Sequence, residues 1–424
     1  MAGGVALPVL LVASALAGEA RVADVPLTVR ASPSTKASRV GRIAPGAPFR
    51  VIGPAEGTGC GDPGWGELPD GFVCLAGTRT TDASPAPLPR LVTFDPPTPE
   101  EYRAYVRDGV WPREAGEPLL PYVYGKRWRR WQATTWASAE AYARGDAPKD
   151  TLEDDRKYHF VDVVDTPRGA VLVREDGRVS PLDDVFVYPV SRFRGVDLRA
   201  EPLPEGVAQA WVHVYDGAAV RAEPSSKAAV VTTLPHHAAL RVTGEGRWLS
   251  LADGTGFVAA PLVRTVRPLP PPARVAGDEL WIDVDLEEQV LMLVRGAVVE
   301  YATLVSTGLP PDATPPGIYR ITDKSVDWDM QSLPDAPEPY HVERVPWVAH
   351  FRPRYALHGV FWHWGFGNRA SHGCINLAPR DARVVFDAIA PRLPDGWHTV
   401  VATEASPGTT LRVRGDTVAV RDRR

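Results

Sequence analysis

Two stretches of this chain, far apart in sequence, repeat one another. Val29-Arg30-Ala31-Ser32-Pro33-Ser34-Thr35-Lys36 matches Val220-Arg221-Ala222-Glu223-Pro224-Ser225-Ser226-Lys227. Each copy runs on through a short apolar strand, Phe49-Arg50-Val51 or Leu240-Arg241-Val242. Each then carries a Trp, a turn and Gly-Phe-Val: Trp65 before Gly71-Phe72-Val73, and Trp248 before Gly256-Phe257-Val258. Asp70-Gly71 and Asp253-Gly254 are hairpin dipeptides between strand-forming residues. Two copies separated by unrelated sequence predict duplicated small β modules, not a solenoid.

Composition agrees. The 424 residues include 43 Pro and 37 Gly but only 3 Met, which favours turns and short strands over helical bundles. At roughly 150 residues per domain the length implies about three domains. A net charge of −5 gives no reason to expect nucleic acid or an anionic membrane as partner. Residues 1–19 hold an apolar run from Val5 to Leu16 and a small-residue site at Ala15-Leu16-Ala17, the layout of a secretory signal peptide, although no Lys or Arg precedes the run. The alternative is a buried or frayed N-terminal strand. No other apolar run is long enough to span a membrane, so no transmembrane segment is expected in the mature chain. Cys60 and Cys74 lie close together in a Gly/Pro-rich stretch and suit a disulfide across neighbouring strands in an oxidising compartment. Two unlinked buried thiols are the alternative, and Cys374 stands apart as a free thiol.

The V-R-x-x-P-S, Trp, Asp-Gly and Gly-Phe-Val pattern resembles bacterial SH3-like domains, which implies small β-barrels at residues 22–80 and 210–265 with a wall-binding or spacer role. Residues 91–205 are expected to form a β-rich region of unknown role, with a short helix opened at Pro99 and a hairpin at Glu175-Asp176-Gly177. Lys126-Arg127-Trp128-Arg129-Arg130-Trp131 reads as a solvated, stacked surface strand, with an anionic polymer as the alternative. Residues 266–277 are expected to form a Pro-rich connector, 278–403 the last domain and 404–424 a tail with a hairpin around Gly415-Asp416.

The last domain is strand-rich from Trp281 to Val305, and a helix is expected from Leu377 to Ile389, with Pro379 in its first turn and Ala382, Val385, Phe386 and Ile389 on one apolar face. Between strands and helix lie His358-Gly359, an aromatic loop and Ser371-His372-Gly373-Cys374-Ile375-Asn376. A thiol attacks an acyl carbon only as thiolate, so it needs a base or cation beside it. Gly373 permits an unusual backbone angle or close substrate approach, and the Cys374 N–H with a neighbour is placed to stabilise an oxyanion.

Those residues, with Ser306-Thr307-Gly308 and Thr314-Pro315-Pro316-Gly317-Ile318-Tyr319 upstream, resemble the YkuD-type L,D-transpeptidases over residues 279–402. The resemblance implies a mostly β (α+β) chain ending in a β-sandwich-like catalytic domain that crosslinks peptidoglycan outside the cytoplasm, in periplasm or cell wall. It implies Cys374 as nucleophile, His358 as base, Gly359 as the carbonyl that orients His358, and His372 and Gly373 at the oxyanion and acyl site. Ser371 and Asn376, with Trp347, Trp362 and Trp364, are expected to support the loop or bind substrate. No metal or organic cofactor is implied. Alternatives are a wall-binding protein with hydrolytic L,D-carboxypeptidase activity, attachment of a protein to peptidoglycan, and a metal hydrolase using His358, His363, His372 and Cys374, although no His-Glu-x-x-His pattern is present.

Overall fold

A computed structural model describes residues 18–86, 120–128, 132–154, 156–333 and 339–416. The proposed leader up to residue 17, the helix at Pro99, the Arg129–Trp131 end of the basic-aromatic stretch and the second arm of the tail hairpin lie outside them. The chain divides into two compact units, residues 1–87 with 394–398 and residues 88–393 with 399–424. The described residues are mostly β, and none of their helices is long and apolar enough to cross a membrane.

The first unit holds the first repeat copy. Its strands include Leu27–Arg30, Trp65–Leu68 and Gly71–Cys74, which pair around buried Val29, Ile43, Phe49, Trp65 and Val73. Cys60 and Cys74 are joined by a disulfide.

The second copy lies in the second unit and folds by the same local rules. Val29 pairs with Val73 in one copy and Val220 with Val258 in the other. A register shift follows Val29 and Val220 alike. Arg30 and Arg221 each donate to a carbonyl seven residues on, Ala37 O and Ala228 O, both at 2.7 Å. The repeated V-R-x-x-P-S pattern therefore encodes a bulged strand and an arginine-tied turn. The expected small barrel is corrected in the second copy. Its seven strands form an open antiparallel sheet with Val230–Leu234 and Val263–Thr265 at the edges. The Val263–Thr265 edge is engaged elsewhere, because Thr265 N–H donates to Glu288 Oε2 at 3.0 Å.

The C-terminal domain is built from two sheets. One has the order β3-β2-β1-β10-β4: β1 is Leu280–Asp285, β2 Val290–Arg295, β3 Val298–Ser306, β4 Gly317–Arg320 and β10 Thr410–Arg414. The other runs β9-β5-β6-β7-β8-β3, with β5 Asp323–Gln331, β6 His341–Arg352, β7 Tyr355–Gly359, β8 Ile375–Leu377 and β9 Trp397–Val401. Strand β3 belongs to both, pairing with β2 up to Leu304 and with β8 at Val305 and Ser306. This gives the sandwich-like arrangement.

Residues 410–414, set apart as tail by the sequence reading, are β10 instead, parallel to β1. Charge explains the docking: buried Asp283 and Asp285 of β1 are met by Arg412 and Arg414 at 2.6 and 2.7 Å. An unpaired carboxylate there would carry a large desolvation cost.

The middle region has a six-residue helix, α1 (Ala139–Arg144), capped by Ser138 Oγ and ended by Gly145 in the left-handed region at φ 80°. The expected Glu175-Asp176-Gly177 turn joins paired strands Gly169–Val173 and Val179–Pro181. Leu120, Tyr124, Tyr188 and Val190 share one apolar core with β1, β6, β7 and the helix α2 (Pro379–Ala388). That core supports the underside of the candidate site.

Candidate active site

Strands β7 and β8 are parallel neighbours, with Leu357 opposite Ile375, His358 opposite Asn376 and Gly359 opposite Leu377. Directly paired residues project to the same face, and successive residues alternate. Leu357, Ile375 and Leu377 belong to the core cluster. By alternation His358 and Asn376 share a face, and Cys374, one residue before β8, packs beside Ala356 against the same core. The Cys374 Sγ lies 3.8 Å from the Arg354 carbonyl oxygen, and the Ala356 backbone N–H is placed to favour its thiolate.

His358 is buried, with Nδ1 3.1 Å from the carbonyl oxygen of Gly359. A carbonyl only accepts, so Nδ1 carries the proton and Nε2 keeps its lone pair. Burial pushes the imidazole pKa down to about 4, against the raising effect of the Gly359 carbonyl. Burial pushes the Cys374 thiol up to about 11, partly offset by Ala356 N–H and Arg354. At neutral pH the resting pair is therefore thiol and free imidazole.

The turn before Cys374 is tied internally. Ser371 Oγ donates to Cys374 O at 2.6 Å and accepts from Gly373 N–H at 3.1 Å. Gly373 has φ +108°, and a Cβ there would lie 2.6 Å from the Tyr355 ring, so glycine is required on both counts. Thr314 Oγ1 donates to Gly373 O at 2.8 Å and accepts from Gly308 N–H at 2.9 Å. The Ser306-Thr307-Gly308 and Thr314-Pro315-Pro316-Gly317 segments thus act as the mould of the turn. The sequence marked them as rigid loops without showing that Thr314 is the tie.

The other sequence-selected residues divide. Asn376 is buried and its Nδ2 lies 3.0 Å from His363 Nε2, while Asn376 Oδ1 and His363 Nδ1 have no hydrogen-bond partner. Trp362 places its ring 5.9 Å from that of His358. His372 is exposed and stacks on Tyr340 at 5.6 Å, and Trp364 is also exposed. Tyr340 was not singled out from the sequence, yet it is close enough for Cys374 charge to raise its pKa, after the larger effect of burial. Trp347 differs from expectation. It is 2% exposed on β6 with φ 53°, its ring against Gly359 and the Arg383 guanidinium, so it lies beneath His358 in the core and not on a substrate-facing rim. Among the described residues, no group of three or more His, Cys, Asp or Glu is arranged to hold a metal ion.

Comparison with known proteins points to one family. Residues 279–418 match YkuD, the L,D-transpeptidase catalytic domain, a span that takes in β10. A putative L,D-transpeptidase of Bacillus subtilis, YciB, is 28% identical over 129 residues, 26% of this chain. The match spans 61% of that relative's length. Among solved structures, a mutant L,D-transpeptidase of Enterococcus faecium is 22% identical over 32% of this chain and 50% of its own, with a TM-score of 0.26. An L,D-transpeptidase from Mycobacterium smegmatis is 20% identical over 55% of this chain and 90% of its own, with a TM-score of 0.28. The family match supports a YkuD-type L,D-transpeptidase catalytic domain at residues 279–418.

Proposed function

We propose that the protein is an extracytoplasmic L,D-transpeptidase acting on peptidoglycan stem peptides, with Cys374 as nucleophile and His358 as base. The observation that carries this is the parallel β7–β8 register, which brings Cys374, one residue before β8, beside the strand of a neutral His358, with the Gly359 carbonyl fixing the tautomer. In the proposed reaction Cys374 Sγ attacks the carbonyl carbon of the L-centre–D-centre peptide bond while His358 Nε2 takes the thiol proton. The C–N bond then breaks, and the imidazolium returns that proton to the departing D-residue amine. An amine of a second stem attacks the thioester, loses its proton to His358, and leaves a crosslink and the free thiol. Water in place of the amine would give trimming.

In this reading Trp362, beside the His358 ring, and exposed Trp364 border the substrate, and buried Asn376 supports the loop through His363. His372 and Gly373 shape the acyl site, although Gly373 N–H is already engaged by Ser371 Oγ, so an oxyanion would draw on Cys374 N–H. The repeat copies are read as SH3-like modules. Mass spectrometry of muropeptides incubated with wild type and Cys374→Ala tests the whole. Crosslinked products from wild type alone support it. Turnover retained by Cys374→Ala overturns it, and loss of a residue without crosslinks replaces transfer with hydrolysis.

A further inference from the structure

The aromatic loop between His358 and Ser371 has no regular structure of its own, yet it is held on two sides. On one side stands the second repeat copy. His213 Nδ1 lies 3.0 Å from Asn368 Oδ1, and Asn368 Nδ2 donates back to His213 O at 3.0 Å. His213 Nε2 also lies 2.9 Å from the Pro261 carbonyl oxygen; a neutral ring donates to only one of these two oxygens, while the Asn368 amide donating to His213 O holds the pair in either tautomer. Arg264 Nε donates to Gly367 O at 2.8 Å, and His237 Nε2 lies 3.2 Å from Phe366 O. Phe366 shares an apolar core with Trp211 of the same module. Gly367, at φ +90°, is closed in by His213: a Cβ there would come within 2.9 Å of the His213 Cβ.

On the other side the loop meets the candidate site. The Trp362 ring is 5.9 Å from that of His358, and His363 is bonded to Asn376, the register partner of His358.

We propose that the second repeat module is a positioning element of the active site: the His213–Asn368 pair fixes loop 361–368, and the loop fixes the His358 imidazole and keeps water from it. This assigns the module a role inside the enzyme, whatever else it binds, and makes His213 and Asn368 positioning residues. It rests on the reading of Cys374 and His358 as nucleophile and base. The titratable groups that act on His358 are His363 from the loop and His350 from β6, itself paired with Asp323 at 2.8 Å. Because burial is the main cause of the low His358 pKa, a loosened loop lets that pKa climb back towards its ordinary value.

The test uses the full chain and the variants Asn368→Ala, His213→Ala and their combination. The expected result is a kcat/KM about ten-fold lower in each single variant, with the acid limb of its pH profile displaced upward by one to two pH units. The double variant should be no worse than the poorer single one, as for residues acting as a pair. A melting temperature close to wild type separates this from unfolding. Profiles that superimpose on wild type, or fully additive losses, overturn the proposal. A second readout does not need turnover: amide hydrogen exchange of residues 361–369, measured in a Cys374→Ala background. Faster exchange after Asn368→Ala supports the clamp, and unchanged exchange overturns it, whichever way the catalytic assignment falls.

Discussion

The chemistry of this site begins with two neutral groups. A thiol raised to about 11 and an imidazole lowered to about 4 do not form a resting ion pair, so in the proposed reaction the proton moves only as sulfur attacks. In that proposed reaction both groups are in the working state between those values. The kcat/KM profile of the wild type should therefore stay flat from about pH 5 to 9, with an acid limb near 4. A limb near the ordinary histidine value in a pH-rate series would contradict the neutral pair. His358→Ala should cut turnover by a factor of 10² to 10⁴, the range of a lost general base, with its fold intact by circular dichroism. Thr314→Val keeps the shape but removes the donor to Gly373 O and the acceptor for Gly308 N–H, both buried. It should destabilise by about 1–3 kcal/mol in urea unfolding and slow acylation as the turn relaxes. At this scale the sequence was informative about chemistry and silent about support. The roles proposed for His358 and Cys374 come from the family resemblance of the Ser371-to-Asn376 motif, and the structure puts His358 and the segment after Cys374 on neighbouring parallel strands. The burial of Trp347 could not, because it depends on a positive φ on β6 that no local residue pattern announces.

Among elements, α2 shows how a predicted piece is held by an unpredicted partner. Its apolar face, including Ala382, Val385 and Phe386, packs on the core as the spacing required. Its C-terminus has no glycine cap. Lys324 of β5 reaches it from far away in sequence, and Nζ donates to Phe386 O and to Ile389 O at 2.7 Å. A buried cation at helix-end carbonyls meets both their hydrogen-bonding need and the helix dipole. Burial lowers the Lys324 pKa to about 8, with Asp387 opposing. Lys324→Met keeps the apolar stem and strands the carbonyls, and should cost about 1–3 kcal/mol by urea unfolding at pH 7. The sign with pH follows from the lowered value. Between about pH 8 and the unfolded lysine value, the unfolded chain binds more protons, so the wild type gains stability relative to Lys324→Met as pH rises through that window. A parallel pair of stability curves would show that the lysine is not titrating as described. Strand β10 has the same lesson: its docking depends on Asp283 and Asp285, more than a hundred residues before it, and not on its own pattern.

Within the larger unit, the middle region and the second repeat copy both pack against the C-terminal sheets. The sequence divided them at proline-rich and turn-rich boundaries, which mark where the chain is connected but not where cores join. Tyr124 stacks on Phe361 at 3.7 Å, and Tyr124 Oη donates to Arg344 O at 2.6 Å, so the middle region packs directly behind the aromatic loop. Its strongest polar anchor is Glu343 on β6, buried and bonded by Arg156 at 2.6 Å and His159 at 2.7 Å. Burial would raise the Glu343 pKa, but His159 and then Arg174 outweigh it and take it down to about 2. Burial would lower His159, yet Glu175 and Glu343 carry it above its ordinary value. The carboxylate's contribution is therefore complete above the unfolded glutamate value and is lost as pH falls through about 2. The histidine's contribution is complete below its unfolded value and is lost as pH rises through its raised folded one. The anchor is strongest between those limits, near pH 5 to 6. Glu343→Gln leaves Arg156 and His159 facing a neutral amide and should destabilise by about 3–5 kcal/mol at that pH, the cost of breaking a buried pair from one side. The loss should shrink towards pH 2, where the wild-type carboxylate also becomes neutral. Urea unfolding of both proteins from pH 2 to 8 measures it, and a gap that stays constant down to pH 2 would mean that shape, not charge, joins the middle region to β6.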